Sequence, residues 1–143
     1  MWLPKSFKKR GAIPQLVQNI DFAPTMLELA GAPIPSDIQG VSLVPLLKNK
    51  NAPANWRKSL YYHYYEYPGE HAVRRHYGVR TERYKLIHFY EDIDEWELFD
   101  LQSDPMEMKN LYGETGYEDI IGELRTELKR LQEQYDDPIR KDN

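Results

Sequence analysis

Seven apolar residues near the end of the chain, Tyr117, Ile120, Ile121, Leu124, Leu128, Leu131 and Tyr135, recur at steps of three and four, the period of one face of an α-helix. A stripe of that length is stable only when buried, so the rest of the chain must supply an apolar surface to receive it. Thr115-Gly116-Tyr117-Glu118 reads as a capping box at the helix start. Gly122 costs about 1 kcal/mol relative to Ala, which several turns of buried stripe outweigh. The Glu, Lys and Arg positions between the stripe residues form the solvent face.

The receiving surface is legible upstream. Residues 60–67 are aromatic and β-prone, 77–81 and 84–90 flank a tight Glu82-Arg83 connection, and 95–101 alternates Trp96, Leu98 and Asp100 against Glu97, Phe99 and Leu101. This predicts an antiparallel meander of three or four strands, with Leu60, Tyr62, Leu86, Phe89, Trp96 and Leu98 packing the sheet. Ser103-Asp104-Pro105 is a turn, and residues 106–111 are expected to form one helical turn. Nearer the start, a short helix is predicted with Asp21 as N-cap, Pro24 in its first turn and Gly31 just past its end. Ala32-Pro33-Ile34-Pro35 stops it, and Ser42 caps a brief second helix through Leu47. Residues 48–55 read as a linker, and residues 1–13, with Lys5, Lys8, Lys9 and Arg10, as a solvated lead-in.

A chain of 143 residues suffices for one domain with its own core. A net charge of −4 argues against a general nucleic-acid binder, which would carry a basic excess. The absence of cysteine removes disulfides, thiol nucleophiles and thiolate metal ligands. No apolar run approaches the roughly 20 residues of a membrane helix, and Met1-Trp2-Leu3-Pro4 followed by Lys and Arg lacks the apolar middle of a signal peptide. Any export signal is expected outside this chain.

Charge is unevenly spread along the middle. Residues 74–85 hold five basic residues and one acid, whereas residues 91–107 hold eight acids and no Lys or Arg. Two readings fit: the blocks pair across a hairpin, or the basic one forms a pocket for an anion. The chain has no Gly-rich phosphate loop, no HExxH and no GxSxG. The spacing of His71 and His76, or of His63 and Tyr65, defines no metal site, and Asp92, Asp94 and Glu95 lack the glycine and closing glutamate of an EF-hand. No metal site is therefore expected in the chain. His63, His71, Arg74, Arg75 and His76 form its dense polar cluster. Arg offers a planar fork to carboxylate or sulfate, His bonds sugar hydroxyls, and Tyr gives a flat face to a pyranose ring, so the set suits an anionic sugar. The plainer reading makes them exposed cross-strand polar residues.

Two stretches carry a resemblance. Val17-Gln18-Asn19-Ile20-Asp21-Phe22-Ala23-Pro24-Thr25, continuing through Leu27-Glu28-Leu29-Ala30-Gly31 to Gln39-Gly40-Val41-Ser42-Leu43, resembles the passage that closes the large domain of type I sulfatases. Tyr77-Gly78-Val79-Arg80-Thr81, Tyr84-Lys85-Leu86-Ile87, Glu97-Leu98-Phe99-Asp100-Leu101, Asp104-Pro105 and Glu107 to Leu111 resemble the small C-terminal subdomain of that family. Residues 61–76, with His63 to Pro68 and the following His71 and His76, look most like bacterial sulfatases of sulfated amino sugars, the N-acetylglucosamine-6-sulfatases among them. The resemblance implies an α+β fold: a small antiparallel four-stranded sheet packed by a long C-terminal helix, preceded by short helices from the end of an alkaline-phosphatase-like α/β domain. Residues 14–55 would then be the tail of the large domain with its linker, and residues 56–143 the C-terminal subdomain.

A sulfatase also needs a Cys or Ser within Cys/Ser-x-Pro/Ala-x-Arg, converted to formylglycine, and Asp and Asn ligands for calcium. Ser6-Phe7-Lys8-Lys9-Arg10 departs from that motif, and the calcium and catalytic Lys and His motifs are missing. The implied role is a non-catalytic wall of a substrate pocket, with calcium and formylglycine in a missing N-terminal domain and no catalytic residue here. His71 and His76, then Arg75, Arg74 and His63, would meet a sulfated glycan. The implied parent is exported, to the periplasm or beyond, with the large domain as this chain's partner and no nucleic acid or membrane. The exposed apolar side of residues 22–30 invites self-association. The alternative function is a free-standing carbohydrate-binding or assembly module.

Overall fold

The computed structural model describes residues 12–48 and 53–141. Its elements are α1 (Phe22–Leu29), α2 (Val44–Lys48), β1 (Leu60–Tyr64), β2 (His76–Arg80), β3 (Tyr84–Phe89), β4 (Glu95–Asp100) and α3 (Glu118–Gln134), with 3-10 turns at Asn19–Asp21 and Pro138–Lys141. They divide into two units, one ending at Arg57 and the other beginning at Lys58.

In the first unit the predicted Asp21 cap is replaced by a larger role. Asp21 precedes α1 but makes no side-chain cap hydrogen bond. Its fully buried carboxylate instead accepts the backbone N–H of Gln18 at 2.8 Å and of Val41 at 2.9 Å, and both terminal nitrogens of Arg57 at 2.7 Å. Thr25 donates to the Asp21 carbonyl at 2.5 Å and accepts the Leu43 N–H at 2.8 Å, tying α1 to the approach of α2. Helix α1 ends as predicted: Gly31 takes φ 69°, a left-handed turn cheap only for glycine, and the Ala32 N–H returns to the Leu27 carbonyl at 2.9 Å. The Ser42 hydroxyl accepts the Val44 N–H at 3.2 Å at the start of α2. Leu43, Leu46 and Leu47 form a small core with Ile13 and Trp56, whose indole donates to the Leu16 carbonyl at 3.0 Å. Residues 1–11, most of the predicted lead-in, and 49–52 of the predicted linker lie outside the described residues.

The second unit is a four-stranded antiparallel meander in the order β1-β2-β3-β4, with α3 on one face. Tyr61, Val79, Leu86 and Leu98 stand opposite one another across the strands and, with Tyr77, meet Leu124, Leu128 and Leu131 of the predicted stripe. Leu86, Trp96 and Leu98 pack as expected. Leu60, Tyr62 and Phe89 lie on the other face, because side chains alternate at every residue and the register puts odd-numbered β1 residues under the helix. On that other face Gly78 leaves room that Tyr62 occupies: a Cβ at Gly78 would lie 2.5 Å from the Tyr62 hydroxyl.

Two local expectations fail for the same reason, competition from side-chain hydrogen bonds. Residues 106–111 are not helical. The Asp104 carboxylate takes the N–H groups of Met108 (2.7 Å) and Lys109 (2.8 Å), while Asn110 bonds Leu98 N–H at 2.9 Å and the Trp96 carbonyl at 3.1 Å, so the loop covers the edge of β4. The capping box also does not form. Tyr117 occupies the N-cap without a side-chain bond, and Glu118 reaches back to the Gly116 N–H at 2.8 Å.

Candidate functional site

The charge blocks meet as pairs. Arg74 bridges to Asp92, Arg75 to Glu91 at 2.6 Å, Arg83 to Asp100 at 2.9 Å and Lys85 to Glu107 at 2.6 Å. Arg83 holds the Asp100 carboxyl down to about 2, its hydrogen bonds outweighing the opposing effect of burial. Pairing across the hairpin, rather than a free basic pocket, is what the strand order makes of these residues.

Arg74 and Arg75 therefore clamp the loop between β1 and β2. Arg74 also lies 4.8 Å over the Tyr67 ring, and Arg75 donates to the Tyr65 carbonyl at 2.8 Å and to both oxygens of Glu91. His71 is exposed at the far end of that loop. His76 begins β2 on the face away from α3. Its ring lies 5.5 Å from Tyr64 and 5.2 Å from Phe89, with the edge of Tyr62 at 5.8 Å. Its Nδ1 donates to the Arg74 carbonyl at 2.8 Å, and Nε2 makes no hydrogen bond among the described residues.

The field beside His76 is acidic. Glu97 lies next along this face of β4 from Glu95, the cross-strand partner of Phe89. Burial, then the charge of Glu95, pushes the Glu97 carboxyl above its ordinary value, with Lys85 opposing. Burial and the charges of Glu107 and Glu97 likewise push the Tyr62 phenol well up, so it remains a neutral hydroxyl. The Tyr62 and Tyr64 hydroxyls are buried with no hydrogen-bond partner among the described residues. This face offers aromatic surface and an imidazole; it is suited to sugar hydroxyls and ring faces more than to a free anion.

His63 is not brought together with the others. It points to the α3 face, where Nδ1 donates to Asp137 at 2.8 Å and Nε2 shares a hydrogen bond with the Tyr90 hydroxyl at 2.7 Å, with the imidazole side chain 5% exposed. Tyr61 donates to the same Asp137 at 2.8 Å. Sequence reading missed Asp137 and Tyr90, and only a partner 74 positions away explains His63. Among the described residues no group of three or more His, Cys, Asp or Glu is placed to hold a metal, and no helix is long and apolar enough to cross a membrane.

The family described as N-sulphoglucosamine sulphohydrolase, C-terminal, matches residues 1–134. The chain is 53% identical over 135 residues to an N-acetylglucosamine-6-O-sulfatase of Bacteroides thetaiotaomicron, covering 94% of this chain and 24% of that protein. It is 36% identical over 112 residues to a Delta 4,5-hexuronate-2-O-sulfatase of the same organism, covering 77% of this chain and 22% of that one. A solved protein in complex with its substrate D-glucosamine-2-N,6-O-disulfate superposes with a TM-score of 0.79 at 57% identity, over 82% of this chain and 24% of the other. The chain thus spans about a quarter of the length of the relatives it matches. The family match over residues 1–134 and the likeness at 53–57% identity settle the assignment: the chain belongs to the N-sulphoglucosamine sulphohydrolase C-terminal family and corresponds to the C-terminal region of glycan sulfatases.

Proposed function

We propose that this chain is the substrate-facing tail of an exported sulfatase that hydrolyses sulfate esters of a glycan, the bond cleavage being carried out by a large domain with formylglycine and calcium. The observation that carries the reading is the 53% identity that runs through 94% of this chain and covers 24% of an N-acetylglucosamine-6-O-sulfatase, together with the match to a C-terminal sulphohydrolase family. In this reading the unit ending at Arg57 is the closing part of the large domain, and the unit from Lys58 on is one wall of the pocket. His71 and the imidazole Nε2 of His76 meet sugar hydroxyls. Arg74 and Arg75, held by Asp92 and Glu91, keep the His71 loop in place, and His63 fixes the strand that leads into it. Such a wall selects the sugar by differential contacts without touching the bond that breaks.

A chimera tests this. The chain replaces the C-terminal quarter of the Bacteroides thetaiotaomicron enzyme, and turnover is measured on glucosamine-6-sulfate and on a small aryl sulfate. His71→Ala is expected to lower kcat/KM on the sugar by about tenfold, the loss of roughly 1.4 kcal/mol, with the aryl sulfate unchanged. Equal losses on both would end the specificity role.

The apolar side of α1 carries the partner part of the reading. Phe22, Met26 and Leu29 are exposed, joined by Ile20, whereas Leu27 is half-buried. In the whole enzyme this side is covered by the rest of the large domain; in the isolated chain it pairs copies. Phe22→Ser with Met26→Ser is expected to shift the isolated chain to monomer in sedimentation, and an unchanged profile would count against this surface.

A further inference from the structure

A groove of about 430 Å³ runs between α3 and the helix-facing side of the sheet, floored by Tyr77, Trp96 and Leu128. That volume is within the range of sites for small ligands. Its rim carries Arg125 and Lys129, four residues apart on one helix and so on one face.

Arg74, Arg75, Arg83, Lys85 and Arg130 each bridge to a carboxylate, whereas among the described residues Arg125 and Lys129, like Lys58, Arg80 and Lys109, bridge to none. The Arg125 guanidinium is nevertheless held. It lies 4.4 Å over the Trp96 ring, which is itself stacked 4.0 Å from His88, and Nη2 donates to the Tyr112 hydroxyl at 2.8 Å. Aromatic faces and one hydroxyl fix the fork without neutralising it, so the remaining donors keep their charge for an outside acceptor. Glu133 adds one carboxylate at the same groove. Two cations over an aromatic and apolar floor fit a sugar with an anionic substituent.

We infer that this groove binds a sulfated sugar, its sulfate held by Arg125 and Lys129 and its ring lying over the Tyr77–Leu128 floor. The choice of a sulfated sugar rests on the proposed glycan sulfatase; the choice of an anion rests on the groove alone. On this inference the tail holds a second sugar unit, on the sheet face opposite His76.

The test follows 15N chemical shifts of the whole 143-residue chain during titration with glucosamine-6-sulfate, N-acetylglucosamine, glucuronate and inorganic sulfate. The Trp96 indole N–H and the Arg125 Nε–H are expected to shift saturably with glucosamine-6-sulfate. The neutral sugar, the carboxylated sugar and bare sulfate should each bind several-fold more weakly. Arg125→Gln with Lys129→Gln should weaken binding at least about tenfold and leave the Trp56 indole and the β-sheet resonances in place; His71→Ala should leave it unchanged. Binding that survives the double variant overturns the inference, as does binding of N-acetylglucosamine, glucuronate or bare sulfate as tight as that of the sulfated sugar. Loss with His71→Ala but not with the double variant keeps the pocket-wall reading and removes this one. A chimera indifferent to His71 together with shifts at Trp96 does the reverse.

Discussion

Asp21→Asn is expected to destabilise the first unit by about 3–5 kcal/mol, the range for leaving one member of a buried ion pair without its partner. The carboxylate is 0% exposed and serves four donors: two backbone N–H groups from either side of α1 and the two arms of Arg57. Asn keeps the shape but has one oxygen, so it cannot receive the guanidinium fork and leaves that cation, 13% exposed, uncompensated. Urea unfolding followed through Trp56, whose indole is bonded within the same unit, reads the loss directly. Arg57→Met alone should cost a similar amount, and Asp21→Asn with Arg57→Met less than the sum, because the second change removes the orphaned charge. A loss below about 1 kcal/mol for Asp21→Asn, the size of an ordinary surface change, would show that the pair does not organise this unit.

Asp137→Ala is the second large effect. It strips the carboxylate partner from the buried His63 Nδ1–H and removes one of the bonds of the Tyr61 hydroxyl, both under the end of α3, and a buried donor left without its partner costs about 1–3 kcal/mol. The pH dependence has a defined sign. Burial alone would raise the Asp137 carboxyl, but hydrogen bonds from His63, the Ile139 N–H and Tyr61 outweigh it, and the folded value lies below the ordinary 3.8. Its contribution to stability is therefore complete above the unfolded carboxylate value and fades as pH falls through the folded one. In a series of denaturation curves from pH 7 downward, the gap between the wild-type chain and the Asp137→Ala variant should narrow below pH about 4; a gap that stays constant into acid would show that the carboxylate's charge is not what holds the tail. Faster amide exchange in residues 136–139 of the variant would locate the damage. The same bond holds the strand that leads into the His71 loop, so this variant is also expected to blunt the sugar preference tested in the chimera.

Local chemistry was the readable part. The stripe from Tyr117 to Tyr135 and the four β-prone runs carried their own periods, and a helix or strand period depends on neighbours a few residues away. Cross-strand pairing of the basic and acidic blocks was readable too, since a meander brings consecutive runs side by side. The resemblance added which sulfatase region these elements build, and the identities bear that out. What failed locally failed where side chains competed with backbone: Asp104 and Asn110 took the donors and acceptors that a helical turn at residues 106–111 needed.

The candidate site divides along the same line. Residue types suited to a sugar were visible in the run from His63 to His76, and so was their crowding into one loop and strand. Which face each one joins was not, because a strand's parity is set by the register with its partners, and one step turns a core residue outward: Tyr61 meets α3 while Tyr62 covers Gly78. His63 and His76 look alike in sequence, yet one is bound on both nitrogens to Asp137 and Tyr90 and the other keeps one nitrogen without a hydrogen bond among the described residues, within a set of aromatic rings. Sequence alone determined the elements and their chemistry, through spacing. Tertiary structure decided which charges are spent and which remain, since Asp137, Asp92 and Glu91 reach their partners, and Arg125 reaches Trp96 instead of a carboxylate, only when distant segments are packed together.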